Sequence, residues 1–207
     1  MPRRNRKGMV GIDTAIILIA FVLVAAAVAF VTLDMGMTSA QKAKQTMESG
    51  LQESSTALQV DGDVMAYVNT SGNVQVIYIP LGVTPGTGYV SFAKNLLSVS
   101  LIGGNMSYAN IYNGVAEMIS GSNSNLTAIA VSLKGTGADA VVYFIHGNIT
   151  PFVLGPYGQA LLVIHLPYGL PAYKSFTVTI SPSVGGAITV SRIIPPDNVT
   201  NTVIDLG

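Results

Sequence analysis

A chain of 207 residues with no cysteine and no tryptophan must find any chemistry among its carboxylates, histidines, asparagines and glycines. Asp61 and Asp63 flank Gly62, and two carboxylates so close can contribute to a calcium site. The other spaced oxygens of a calcium loop are missing, so a turn is the simpler reading. His146 and His165 lie near the ends of the apolar runs DAVVYFI and ALLVIHL and read as satisfied strand-edge residues before ligands or bases. The stretch GVTPGTG, residues 82 to 88, lacks the lysine and following serine or threonine of a phosphate loop, which leaves a hairpin. No G-x-S-x-G elbow presents a serine nucleophile, and thiolate metal sites would need the absent cysteines. The expectation is a protein that is not an enzyme and uses no cofactor and no metal.

Two groups of residues remain. Asn69, Asn105, Asn125, Asn148 and Asn198 each open an N-x-S/T sequon, the acceptor pattern for N-linked glycans in exported chains. A chain rich in asparagine, serine and threonine also produces such triplets by chance, so they stand as candidates. Gly8, Gly11 and Asp13 sit where a long apolar run begins, and their purpose depends on what that run does.

Only 10% of the residues are charged, against roughly 25% in typical soluble domains, so a dissolved monomer would present a sticky surface. Arg3, Arg4, Arg6 and Lys7 all precede Gly8, and beyond it basic residues are outnumbered by acidic ones. That balance gives no footprint for nucleic acid. Between Asp13 and Asp34 no charge occurs, and a helix of that length spans about 30 Å, the thickness of a bilayer core. Basic residues precede the run and none closely follows it, which places the N-terminus in the cytoplasm and the remainder outside. A plain secretory signal cut after Ala29 and an uncleaved anchor are the competing readings. The unbroken apolar run from Ala15 to Val31 exceeds the usual signal core of roughly 7–15 residues, which disfavours the first.

The pattern does not stop at Asp34. Ala40, Ala43, Met47, Leu51 and Leu58 recur at helical spacing while Lys42, Lys44, Gln45 and Glu48 lie off that stripe. No proline falls between Pro2 and Pro80, although Gly36 and Gly50 each permit a bend. A helix from about residue 10 to 58 would be about 70 Å long. That is too long for a bilayer, and its stripe needs partners from other chains. Each large apolar side chain left in water costs about 1.5–3 kcal/mol, so an isolated exported subunit cannot leave the helix bare. Moving from lipid into a bundle of identical helices exchanges one apolar surrounding for another.

The segment RKGMVGIDTAIILIAF, residues 6 to 21, resembles the class III signal peptide and N-terminal core of the archaellins, the archaeal flagellins, which are relatives of type IV pilins. The likeness is close over residues 6 to 60 and looser beyond. It implies cleavage by a prepilin-peptidase-like enzyme between Gly8 and Met9, with Lys7, Gly8, Met9, Gly11 and Asp13 as the processing region. Asp13 falls where pilins usually carry glutamate. After cleavage it would lie close to the new α-amino group, and opposite charges offset each other on leaving water; a simple helix cap is the alternative role. The resemblance further implies a filament core packed by Ile16, Ile17, Ala20, Phe21, Val24, Ala27, Val28, Phe30, Val31, Met35, Ala40 and Met47.

The second half is different in kind. Runs at 74–81, 96–102, 126–133, 139–145, 160–166, 175–180 and 187–194 are rich in β-branched residues and separated by glycine, serine and asparagine clusters, as in a β-sandwich. Phe176, Val178 and Ile180 alternate with Thr177, Thr179 and Ser181, the signature of a half-buried outer strand, whereas 141–145 and 160–164 are apolar on both faces and belong in the centre or under a neighbouring subunit. The expected fold class is α+β: a long N-terminal hydrophobic and then amphipathic α-helix followed by an antiparallel, Ig-like β-sandwich. The expected divisions are a cleaved signal at 1–8, a core helix at 9–60 and an outer domain at 61–207. The expected role is an archaellum subunit for swimming motility, membrane-inserted as a precursor and extracellular as a homopolymeric filament on an archaeal cell. Its partners would be the processing enzyme and the archaellum assembly machinery. An archaeal adhesion pilin and a surface-anchored ligand-binding protein are the alternatives.

Overall fold

Helix formation over the first quarter of the chain follows from its alanines and from the lack of any proline between Pro2 and Pro80. In the computed structural model, which describes residues 7–55, 58–84, 88–116, 126–132, 137–146, 152–196 and 199–207, α1 is a single helix from Lys7 to Ser55 that continues through Gly36 and Gly50. The chain divides into two units, Met1–Gly50 and Leu51–Gly207.

The second unit is β-rich. Its strands are β1 (Leu58–Val60), β2 (Met65–Val68), β3 (Val74–Val83), β4 (Val90–Ser91), β5 (Leu97–Gly103), β6 (Met106–Tyr108), β7 (Tyr112–Val115), β8 (Asp139–His146), β9 (Val153–Leu154), β10 (Gln159–Leu170), β11 (Ser175–Pro182), β12 (Ile188–Ile193) and β13 (Thr202–Asp205), with helix α2 (Leu126–Ser132) between β7 and β8. Among the described residues these form a seven-stranded sheet in the order β13-β2-β3-β10-β8-β7 with β1 also on β3, a four-stranded sheet β12-β11-β5-β6, and the pair β4-β9. All pairings are antiparallel except β7 with β8.

The two larger sheets face each other across one core. Ile77, Ile79, Val142, Phe144, Leu162 and Ile164 of the first meet Val99, Leu101, Phe176 and Val178 of the second. The rings of Phe92 and Phe144 pack edge to face with centroids 5.8 Å apart. β10 is the central strand and is buried from Ala160 to Leu166, as a run apolar on both faces requires. Its other face, carrying Leu161 and Val163, joins Val76, Tyr78 and Ile129 in a second, smaller cluster.

Four expectations need correction. Residues 126–132 are helical: Leu126 and Ile129, three apart, pack onto the outer face of the large sheet, and the Tyr78 hydroxyl donates to the Leu126 carbonyl at 2.6 Å. Short apolar runs do not distinguish strand from helix, and here an uncovered sheet face decided. Leu58, placed on the helical stripe, instead begins β1 opposite Val83 and is buried. Within 82–88, expected to turn, Gly82 and Val83 still belong to β3. Finally, β11 alternates as expected but is flanked by both β5 and β12, so its exposed face is open while its edges are not.

The apolar helix as candidate assembly site

Helix α1 carries no binding cleft. Its functional property is exposure: every described side chain from Gly11 to Leu51 is exposed, including Ile16, Ile17, Val24, Val28 and Val31, and Phe21 is 73% accessible. Ala20, Ala27 and Ala40, with Phe30, Met35 and Met47, share this state. The apolar residues surround the first half of the helix completely, the pattern of a helix buried on all sides or embedded in lipid. Three threonine hydroxyls on this surface are satisfied by the helix itself. Thr32 donates to the carbonyls of Val28 and Ala29, Thr38 to that of Asp34 at 2.9 Å and Thr46 to that of Lys42 at 2.9 Å. A threonine hydroxyl bonded to its own helix in this way loses little on leaving water.

Small residues open a shallow groove along one side, where Ala29, Gly36 and Ala40 sit with Thr32, Leu33 and Met37. Gly36 has nothing within 4 Å of the position a Cβ would take, so a neighbouring helix can approach its backbone. Beyond Asp34 the character changes to amphipathic, and Lys44 pairs with Glu48 one turn on at 3.6 Å. The backbone at Lys7, Gly8 and Met9 is already helical, and the described part of the side-chain surface begins at Gly11.

The β-rich unit places the other sequence candidates apart from one another. Asn69 is half-buried in the β2–β3 turn, its carboxamide oxygen accepting the backbone N–H of Ser71 at 2.9 Å and of Asn73 at 3.1 Å. Asn105 is exposed at the tip of the β5–β6 hairpin, next to Gly104, which takes the positive φ of the turn. Asn125, Asn148 and Asn198 lie outside the described residues. Asp61 and Asp63 belong to a bend between β1 and β2, both of which pair with β3; Asp61 accepts a hydrogen bond from Gln159 at 3.0 Å while its own N–H donates to the Pro80 carbonyl. The Asp-Gly-Asp element is thus a turn inside a strand edge.

His165 is not a strand-edge residue. It is 2% exposed in the middle of the sheet, opposite Val76 and Asp139, with Nδ1 3.3 Å from the Gly137 carbonyl and Nε2 without a partner. His146 closes β8, and its side chain lies outside the described residues. Two tyrosines matter to the fold's chemistry. Burial, with the neighbouring phenols of Tyr67 and Tyr143, pushes Tyr78 far above the ordinary tyrosine range, and burial alone does the same to Tyr112, whose hydroxyl donates to the Phe92 carbonyl.

A naked apolar helix ahead of a β-sandwich has a counterpart among known families. Residues 8–192 match the family model described as archaeal-type flagellin. The chain belongs to this family. It is 42% identical over 204 residues to "Probable flagellin 1" of Aeropyrum pernix, covering 99% of this chain and 100% of that relative. To flagellin FlaB2 of Saccharolobus shibatae it is 38% identical over 114 residues, which is 53% of this chain and 37% of the relative. The fold is also that of the archaeal flagellum of Methanospirillum hungatei, with a TM-score of 0.65 at 20% identity over 95% of this chain and 99% of that one. The crystal structure of flagellin FlaB1 from Methanocaldococcus jannaschii gives a TM-score of 0.60 at 18% identity over 73% and 96%. Archaeal flagellins are structural filament proteins, so this flagellin's role is structural and it is not an enzyme. The adhesion pilin and the ligand-binding protein are not favoured.

Reading residues alone missed α2 and the outward-facing aromatics of the β-rich unit, such as Tyr168 and Tyr173. The helix spans only seven residues, too few for the spacing of Leu126 and Ile129 to mark it. Tyr168 is exposed in the irregular end of β10 and Tyr173 in the turn before β11, and no local pattern marks either.

Proposed function

We propose that this chain is cut between Gly8 and Met9 and polymerises as the structural subunit of the archaellum filament, with α1 in a core of like helices and the β-rich unit outside. The observation that carries this reading is the complete exposure of an apolar helix in a chain of the flagellin family. Water cannot solvate such a surface cheaply, so it is occupied first by lipid and then by copies of itself. The subunit passes from a membrane-inserted precursor to an extracellular filament at the cell surface.

Chemistry supports the processing step. The bond to be cut lies in the first turn of α1, where Gly8 weakens the helix by about 1 kcal/mol relative to alanine and eases its opening for a peptidase. Removing residues 1–8 takes away the four cationic side chains that hold the segment at the cytoplasmic face. The new α-amino group then lies close in sequence to Asp13, and the pair lowers the cost of burying both charges. The pairing of Leu58–Val60 within the sheet supports a core segment that ends before Leu58. Asn69 and Asn105 are the described positions where N-linked glycans would hydrate the weakly charged exterior.

Mass spectrometry of the mature chain, joined to electron microscopy of the cell-surface product, tests this. A chain beginning at Met9 in filaments is expected. A chain beginning after Ala29, or one that stays monomeric in detergent-free buffer with α1 intact, would overturn the proposal.

A further inference from the structure

Resting on the filament reading, which places the outer unit beyond the membrane, we propose that a groove beside the β5–β6 hairpin seats the first sugars of an N-linked glycan attached to Asn105. The groove has a volume of about 280 Å³ and brings together Asn105, Met106, Tyr168, Leu170 and Lys174. It lies just under the roughly 300–1,000 Å³ of sites for drug-sized ligands, a size that suits a mono- or disaccharide.

Its walls have the chemistry of a sugar seat. β10 follows β3 in register up to His165 opposite Val76, and then resumes only at Leu170 opposite Val74. The extra residues bulge outward and carry Tyr168 to 76% exposure in a strand that is buried from Ala160 to Leu166. The exposed phenol ring of Tyr168, in a groove also lined by apolar Leu170, offers a flat face for the C–H side of a pyranose. Lys174, also exposed, supplies a donor for a hydroxyl or carboxylate oxygen. The sequon asparagine lines the same groove, so a sugar attached there starts at its mouth and needs no separate encounter. Asn69 offers no such arrangement, because its carboxamide is held against its own turn.

The attachment requires a glycan activated at C1 as a lipid-linked phosphate or pyrophosphate. A bond forms between Asn105 Nδ2 and C1, the C1–O bond to phosphate breaks, the phosphate leaves with the electron pair, and one Nδ2 proton passes to a base.

The test uses filaments from the native host. Glycopeptide mass spectrometry is expected to find the peptide containing Asn105 carrying sugar mass, lost in Asn105→Gln and in Ser107→Ala; the second variant guards against a folding defect in the first. An unmodified Asn105 peptide in native filaments overturns the proposal. Seating is read from melting temperatures in a double-mutant cycle. Loss of the sequon is expected to lower the midpoint by about 2–4 °C with Tyr168 present and by less in a Tyr168→Ala background, while a Tyr173→Ala background keeps the full drop. Equal drops in all backgrounds overturn the seat. Filaments visible by microscopy in every variant keep this failure separate from failure of the filament reading.

Discussion

Gly103 shows how little room the sandwich leaves. A Cβ there would come within 2.8 Å of the Phe176 Cβ and 3.2 Å of its Cα, so β5 and β11 would have to separate. Gly103→Ala is expected to destabilise the β-rich unit by about 1–3 kcal/mol, measured as a lower thermal midpoint. Tyr78 and Tyr112 set a pH limit. Both hold their protons above the ordinary tyrosine value of about 10, so the unfolded chain releases protons first as pH rises. Their contribution is complete below about pH 10 and is lost as pH climbs towards their folded values. Melting at pH 8 and pH 11 should show a fall that Tyr112→Phe makes shallower, from a starting stability lowered by the lost hydrogen bond to Phe92. A fall of unchanged size would remove Tyr112 from the account.

At the scale of elements, α1 and α2 are opposites. α1 carries an exposed apolar surface, and α2 covers one face of a sheet. Val24→Lys places a cation in the middle of the run, costing about 2.5–3.5 kcal/mol on a membrane-insertion scale and leaving an unpaired charge in any helical bundle. Filaments should disappear from electron micrographs of this variant, and filaments of normal abundance would contradict core burial at that position. For α2, Ile129→Ala removes the side chain that covers Tyr78 and Val163. A loss of about 2 kcal/mol and increased binding of a hydrophobic dye are expected, since a short helix at the surface can collapse part of the cavity. The strand alternation at 175–180 and the doubly apolar run at 160–164 were legible beforehand because apolar residues on one face or on both report burial directly. The helix at 126–132 was not, since seven residues are too few for one period to stand out.

For the whole molecule, the decisive quantity is the uncovered apolar area of α1 set against the few charges of the remainder. Under the proposed cleavage, retaining residues 1–8 would keep cations at the end of the helix and hold it in the membrane. Gly8→Val, which also stiffens the first turn, is expected to accumulate an uncut chain in the membrane fraction, seen as a larger mass on immunoblots, with no filaments outside. Filaments built from uncut chain would refute the need for processing.

The order of residues alone settled that a membrane-length apolar helix precedes a β-rich unit, because hydrophobic run length and period are local properties of a chain. It also carried the likeness to archaellins, which sits in one contiguous stretch around Gly8 and Asp13. Only the tertiary structure decided that Leu58 leaves the helix for the sheet, that His165 is buried at the centre, and that Tyr168 comes to lie beside Asn105. Those outcomes depend on strand pairing between residues distant in sequence, and no local pattern encodes the partner that a strand will meet.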